Sequence, residues 1–275
     1  MHTKPNVLIL FLLMFATAAS AHHFSDDSGD PFEIINKSSS KKPSAITTVC
    51  LDAGHGGKDA GARGRRSLEK NLALEVVLKL GKKIEKELPG VKVIYTRTED
   101  VFVDLYARPA LANKHNADLF ISVHLNSFSR ASAIGTETLV SGFGRLSEQD
   151  VAIRENASIL LEDNYEENYG GFDPNDPSTY IVFSLMKREY RDQSIKLASL
   201  MQEAYSINSK RVDRGVKEQS LAVLATAGMP AVLTEIGFIS NPSEEEYMMS
   251  AKGQAEIVQN IFNSIKSYKN SVERK

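Results

Sequence analysis

Apolar residues fall into two alternating patterns along the chain, short continuous runs and stripes at helical spacing. The runs from Thr47 to Ala53, Val91 to Thr96, Ala117 to His124, Thr136 to Ser141 and Ala231 to Glu235 predict strands. Several are apolar without a break, as strands of a sheet covered on both faces must be. Between them, Leu72, Val76, Leu80, Ile84 and Leu88 make one stripe, which predicts a helix from Glu69 to Leu88. Further helices are expected from Gln193 to Tyr205 and around Ile257, Val258, Ile261, Phe262 and Ile265. Asn241, Pro242 and Glu244 mark a helix start, as a cap, a proline at the first helical position and a capping-box acid. Strands alternating with helices predict an α/β fold of three layers, with a mostly parallel or mixed central sheet and helices on both faces.

The first 44 residues break this pattern. Met1 to Ala21 has a basic Lys4, an apolar core from Val7 to Ala18 and the small residues Ala19, Ser20 and Ala21, which predict a cleaved signal peptide over 1–21. That core is too short for a membrane-spanning helix, which needs about 20 apolar residues. A periplasmic or secreted location is therefore expected, with no membrane span. Residues 22–44 are polar and aperiodic and read as a flexible linker, which leaves roughly 230 residues for one α/β domain over 45–270. Export permits disulfides, but the chain has one cysteine, Cys50, which reads as a small buried hydrophobe in a core strand. A net charge of -2 supplies no basic footprint for nucleic acid. A monomer is expected.

Three of the strands end on reactive side chains. The first leads through Gly54 into His55, the third ends in His124 and the last in Glu235. Side chains at the carboxyl ends of strands line the ligand crevice of α/β sheets, so these residues converge. Counting back from Leu72 and Val76 places Glu69 on the buried face of its helix, in the first turn. The helix macrodipole also favours an acid there, and a lone histidine after a strand is more often structural than a ligand. Together, though, His55, Glu69 and His124 supply the two histidines and one glutamate that zinc uses in hydrolases, with a fourth position left for water. For Glu235 the competing role is a structural acid capping the next turn.

Six segments now make a pattern. They run Leu51-Asp52-Ala53-Gly54-His55-Gly56-Gly57-Lys58-Asp59-Ala60-Gly61-Ala62, Glu69-Lys70, Tyr95-Thr96-Arg97, Arg108-Pro109-Ala110-Leu111-Ala112-Asn113, Ile121-Ser122-Val123-His124-Leu125-Asn126-Ser127 and Thr234-Glu235-Ile236-Gly237-Phe238-Ile239-Ser240-Asn241. In order and approximate spacing they resemble the zinc-dependent N-acetylmuramoyl-L-alanine amidases of the type-3 family, over about Ala45 to Tyr268. The resemblance implies His55, Glu69 and His124 as Zn2+ ligands, Glu235 as the catalytic acid/base, and peptidoglycan as substrate, cut between the lactyl group of muramic acid and the stem peptide. Arg97, Arg108, Asn126 and the stretch Arg214 to Lys217 also match family segments, where structural and substrate-contact roles stay open. Asp52 is a candidate to orient a histidine ligand.

Residues 142–191 depart from the compact family pattern by roughly fifty residues. Ser147 and Asp150 suggest a capping box, Val151 to Asp163 a helix, and Gly170 to Pro177 a closing turn. Cell-division amidases of the family resemble this arrangement, with a helix that covers the zinc and is moved by an activator protein. Glu155 and Glu162 are the candidate autoinhibitory acids; an ordinary surface excursion is the alternative. A zinc carboxypeptidase or exopeptidase acting on the stem peptide, or a non-catalytic wall-binding module, are the rival functions.

Overall fold

The computed structural model describes residues 45–142, 148–169, 173 and 190–274 of the chain. The expected leader and linker, Ser147 and the closing turn apart from Asp173 lie outside these residues. Six strands form one sheet: β1 (Thr48–Ala53), β2 (Lys92–Tyr95), β3 (Leu119–Asn126), β4 (Thr136–Ser141), β5 (Asp213–Gln219) and β6 (Ala231–Phe238), in the order β2-β1-β3-β6-β4-β5. Every pairing is parallel except β4 against β6, so the sheet is mixed, as expected. β3 and β6 lie at the centre and are buried at every position, which is why they read as unbroken apolar runs. The edge strand β5 was not expected. Its first two residues are exposed and the next four half-buried, so it offers no apolar run to read.

Alternate residues of β1 feed two cores. Val49, Leu51 and Ala53 face one with Leu72, Val76 and Leu80 of α1 (Glu69–Glu87), Leu197 and Met201 of α5 (Arg191–Ser209) and Ile257 and Ile261 of α8 (Ala251–Glu273). Cys50 faces the other with Ala112 of α2 (Ala107–Lys114), Val151 and Ala152 of α3 (Asp150–Asn156) and Val223 of α6 (Ala222–Ala225). These are the two helical layers of the three-layer fold. Each large aliphatic side chain buried this way contributes about 1.5–3 kcal/mol, which outweighs any single cap.

That balance shows at α1, whose N-cap residue Leu68 makes no side-chain cap. The first amides instead donate to the preceding loop, Glu69 N to Ala62 O at 3.0 Å and Lys70 N to Ala60 O at 3.3 Å. This ties the glycine-rich loop after His55 to the helix that carries Glu69. At α7 (Pro242–Met249) the Asn241 side chain accepts from Ser243 N and Glu244 N as expected. The capping-box acid does not reach back, however, because the Glu244 carboxylate accepts from Phe238 N and Gly135 N and pairs with Arg211. The expected helix from Val151 to Asp163 is also shorter. α3 gives way at Ala157 to a 3-10 segment, Ala157–Leu161, where the buried Asn156 bonds Ser220 O and Ala222 N. The short helix α4 (Tyr165–Asn168) follows.

Candidate metal centre

His55 follows β1 in a left-handed conformation, φ 59°, which is costly for a residue with a side chain. Two buried arginines hold the turn. Arg97 donates to Ala53 O and Gly54 O, and Arg108 donates to Ala53 O and His55 O, at 2.8–2.9 Å. Both arginines therefore serve the backbone under the site. Asp52 does not orient a histidine; it accepts from Arg108, Thr96 and Ser122. Asp59 takes that role, its carboxylate 2.7 Å from His55 Nδ1 and also accepting from Gly61 N. The glycines leave room for these contacts: a Cβ on Gly54 would lie 2.4 Å from the His124 ring, and one on Gly61 2.5 Å from His55.

The structure brings His55, Glu69 and His124 together with a fourth residue, Glu155 of α3, all buried, with one donor atom from each within 4.8 Å of the others. Glu69 Oε1 lies 3.2 Å from His55 Nε2 and 3.1 Å from His124 Nδ1, and accepts from Leu125 N, while Oε2 accepts from Ala62 N. Glu155 Oε2 lies 3.1 Å from His55 Nε2 and 2.8 Å from His124 Nδ1. Both His55 Nε2 and Glu155 Oε2 are buried with no hydrogen bond of good geometry. Orphaned buried donors aimed at one centre are what a cation would satisfy, and two imidazoles with carboxylates suit zinc. Burial disfavours the charged form of His55, but the Glu69, Asp59 and Glu155 carboxylates outweigh it and raise its pKa well above 6.5. His124 is raised to about 9 because Glu155 and Glu69 likewise outweigh its burial. A bound cation would replace those protons.

Glu235 sits beside the cluster, paired in register with His124 on β3 and with Glu137 on β4. Burial pushes its carboxyl well above 4.5, helped by Glu155 and Glu69 and opposed by Arg154. Arg154 donates to Glu235 Oε1 at 2.8 Å, to Glu155 Oε1 at 2.8 Å, to Asn126 Oδ1 at 3.0 Å and to the Ser127 carbonyl at 3.2 Å. Ser158, on the 3-10 segment, donates to Asp59 at 2.6 Å. One insertion thus touches the cluster, the acid beside it and the carboxylate behind His55. Glu162 is not in the cluster; it accepts from Leu105 N and Tyr169 Oη. Asn126, Ser127 and Arg154 also line a cleft of about 720 Å³ with Val216, Lys217 and Phe238. Arg154 and Asp59 escape sequence reasoning, although Asp59 carried a signal in its place four residues after His55 in a glycine loop.

Comparison with known proteins agrees with this architecture. The family model for N-acetylmuramoyl-L-alanine amidases matches residues 49–267. The amidase AmiA of Salmonella typhimurium is 30% identical over 238 residues, covering 85% of this chain and 80% of its own. AmiC of Escherichia coli is 31% identical over 226 residues, covering 80% of this chain but 52% of its own, so the chain spans about half of that relative. The crystal structure of an amidase from Clostridium difficile 630 superposes with a TM-score of 0.63 at 29% identity, over 82% of this chain and 98% of its own. With a match that runs from β1 into α8 and takes in His55, Glu69, His124 and Glu235, the chain belongs to the N-acetylmuramoyl-L-alanine amidase family.

Proposed function

We propose that the chain hydrolyses the amide bond between the lactyl group of N-acetylmuramic acid and L-alanine in peptidoglycan, with zinc held by His55, Glu69 and His124. The observation that carries this reading is the buried donor cluster with Glu235 next to it. When bound, the zinc supplies a Lewis acid for the scissile carbonyl and acidifies a water towards a pKa of ~7. Glu235 takes the proton of the attacking water and returns it to the amide nitrogen as the C–N bond breaks. A carboxyl raised by burial suits both directions of that transfer. Glu69 holds two backbone amides as well as facing the histidines, so it is fixed before any ion arrives.

The approach of Glu155 Oε2 to both histidines supports a restraining role for the insertion, in which this carboxylate would occupy the position that zinc leaves for water. Holding an open state to one part in a hundred takes about 2.7 kcal/mol, which an activator protein would supply by binding the open state better. Residues 1–21 as leader and 22–44 as linker put the enzyme in the periplasm or outside the cell, in wall remodelling or daughter-cell separation. Mass spectrometry of digested peptidoglycan tests the bond choice. Intact stem peptides with a free L-alanine amine are expected; release of terminal D-alanine alone would overturn it.

A further inference from the structure

The Arg154 guanidinium marks a second feature of the cleft. Three oxygen acceptors from different places in the fold converge on it: Glu235 Oε1 from β6, Asn126 Oδ1 from the end of β3 and the Ser127 carbonyl from the loop beyond. Asn126 is buried and its orientation is fixed, because its Nδ2 donates to Glu137 Oε1 at 2.5 Å, with Lys217 on the other oxygen of Glu137. Its Oδ1 is therefore held facing the site as an acceptor. Against β6 the register shifts between His124, which lies opposite Glu235, and Asn126, which lies opposite Phe238, and Asn126 and Glu235 meet at the Arg154 guanidinium. The acceptors lie on β3, the loop after it and β6, and among the described residues the cation they hold comes from the insertion.

We propose that Asn126 Oδ1 and the Ser127 carbonyl form, with Glu235, a subsite for the nitrogen of the scissile bond, and that Arg154 stands in for that nitrogen while the insertion is docked. The inference rests on the amidase reading. In the substrate the amide N–H donates to Asn126 Oδ1 and the Ser127 carbonyl; once water has added and conjugation with the carbonyl is lost, the nitrogen lone pair is left on the side of Glu235, which by then carries the water proton. As water adds to the carbonyl carbon, Glu235 receives one water proton; the C–N bond then breaks, its electron pair stays on nitrogen, and Glu235 returns the proton there. The products are the lactyl carboxylic acid and the L-alanine amine. The carboxylic acid then gives its proton to the amine, and the resulting ammonium has more N–H donors for the same three oxygens. The adjoining cleft of about 720 Å³ takes the peptide that carries the amine. Catalysis gains because the acceptors are already placed before substrate binds.

The test uses the full chain carrying Arg154→Ala as host, with metal content and thermal unfolding checked in every variant. The first arm compares a muramoyl-L-alanine amide substrate with its ester analogue, in which oxygen replaces the scissile N–H. Adding Asn126→Ala should lower kcat/KM for the amide about tenfold to a hundredfold and leave the ester within about twofold. Equal losses on both linkages overturn the subsite. The second arm needs no turnover: calorimetry of an L-alanyl peptide with a free amine. Affinity should rise at least tenfold in Arg154→Ala over the unsubstituted chain and fall again when Asn126→Ala is added. Indifference to both substitutions overturns the proposal. If the host cleaves no muramoyl amide but binds the peptide as described, the amidase reading fails and the amine subsite stands.

Discussion

Asp59 shows how much a single side chain behind the cluster controls. Its carboxylate fixes His55 through Nδ1, leaving Nε2 to the centre, and is itself held by Gly61 N and Ser158. Asp59→Asn keeps the shape and loses the charge that strengthens the imidazole as a ligand. Zinc affinity, measured by competition with a chromophoric chelator, should fall about 10- to 100-fold with the fold intact; unchanged affinity would make Asp59 a loop residue only. Glu235 differs in kind, since it faces the cluster without entering it. Glu235→Gln should retain zinc and lower the rate by ~10² or more, and loss of metal in that variant would contradict its role as acid/base. The ligand candidates were legible in sequence because each stands where an apolar run or stripe meets polar chemistry. Arg154 was not, since a cross-element ion pair follows from how segments dock, and Asp59 offered only its place four residues after His55 in a glycine loop.

At the scale of elements, the insertion is attached by both apolar and polar contacts, Val151, Ala152 and Ile159 in the second core and Glu155, Ser158 and Glu162 outside it. Removing one contact tests the restraint: Glu155→Ala should raise basal hydrolysis of purified peptidoglycan, and no change there would leave the segment a surface excursion. Glu162 adds a pH dependence. Burial raises its carboxyl to about 7, against hydrogen bonds from Leu105 N and Tyr169 Oη that favour the charged form. Because the docked state prefers the protonated acid, docking is strongest below the ordinary value of 4.5 and weakens as pH rises through about 7. Hydrogen exchange over 150–162, corrected for intrinsic rates, should show more protection at pH 5 than at pH 8, and Glu162→Gln should level the two. Protection that grows with pH would refute this. Strands β1, β3, β4 and β6 and helix α1 were readable from apolar periodicity to within a few residues. β5 and α2 were not, because a half-exposed edge strand and an eight-residue helix with three buried residues carry too little of it.

Across the whole molecule, the cluster joins parts of the chain that otherwise meet through the sheet: the turn after β1, the first residue of α1, β3 and, through Glu155, the insertion. Without a cation the carboxylates favour protonated imidazoles, which the raised values at His55 and His124 express, although His55 Nε2 and Glu155 Oε2 still lack a hydrogen bond of good geometry. The fold should survive metal removal, since neither hydrophobic core is built from the cluster residues themselves. Binding nevertheless stabilises the native state alone, by about 4.1 kcal/mol when free zinc is a thousandfold above Kd. For a domain of this size each kcal/mol shifts Tm by about 2–4 °C. Calorimetry should therefore find the zinc-loaded chain melting roughly 8–16 °C above the chelated one, with a shift that grows as the logarithm of zinc concentration. His124→Ala should abolish the shift while leaving the metal-free melting cooperative. A shift that persists in that variant would place the stabilising metal elsewhere, and no shift in the unsubstituted chain would remove zinc from the cluster.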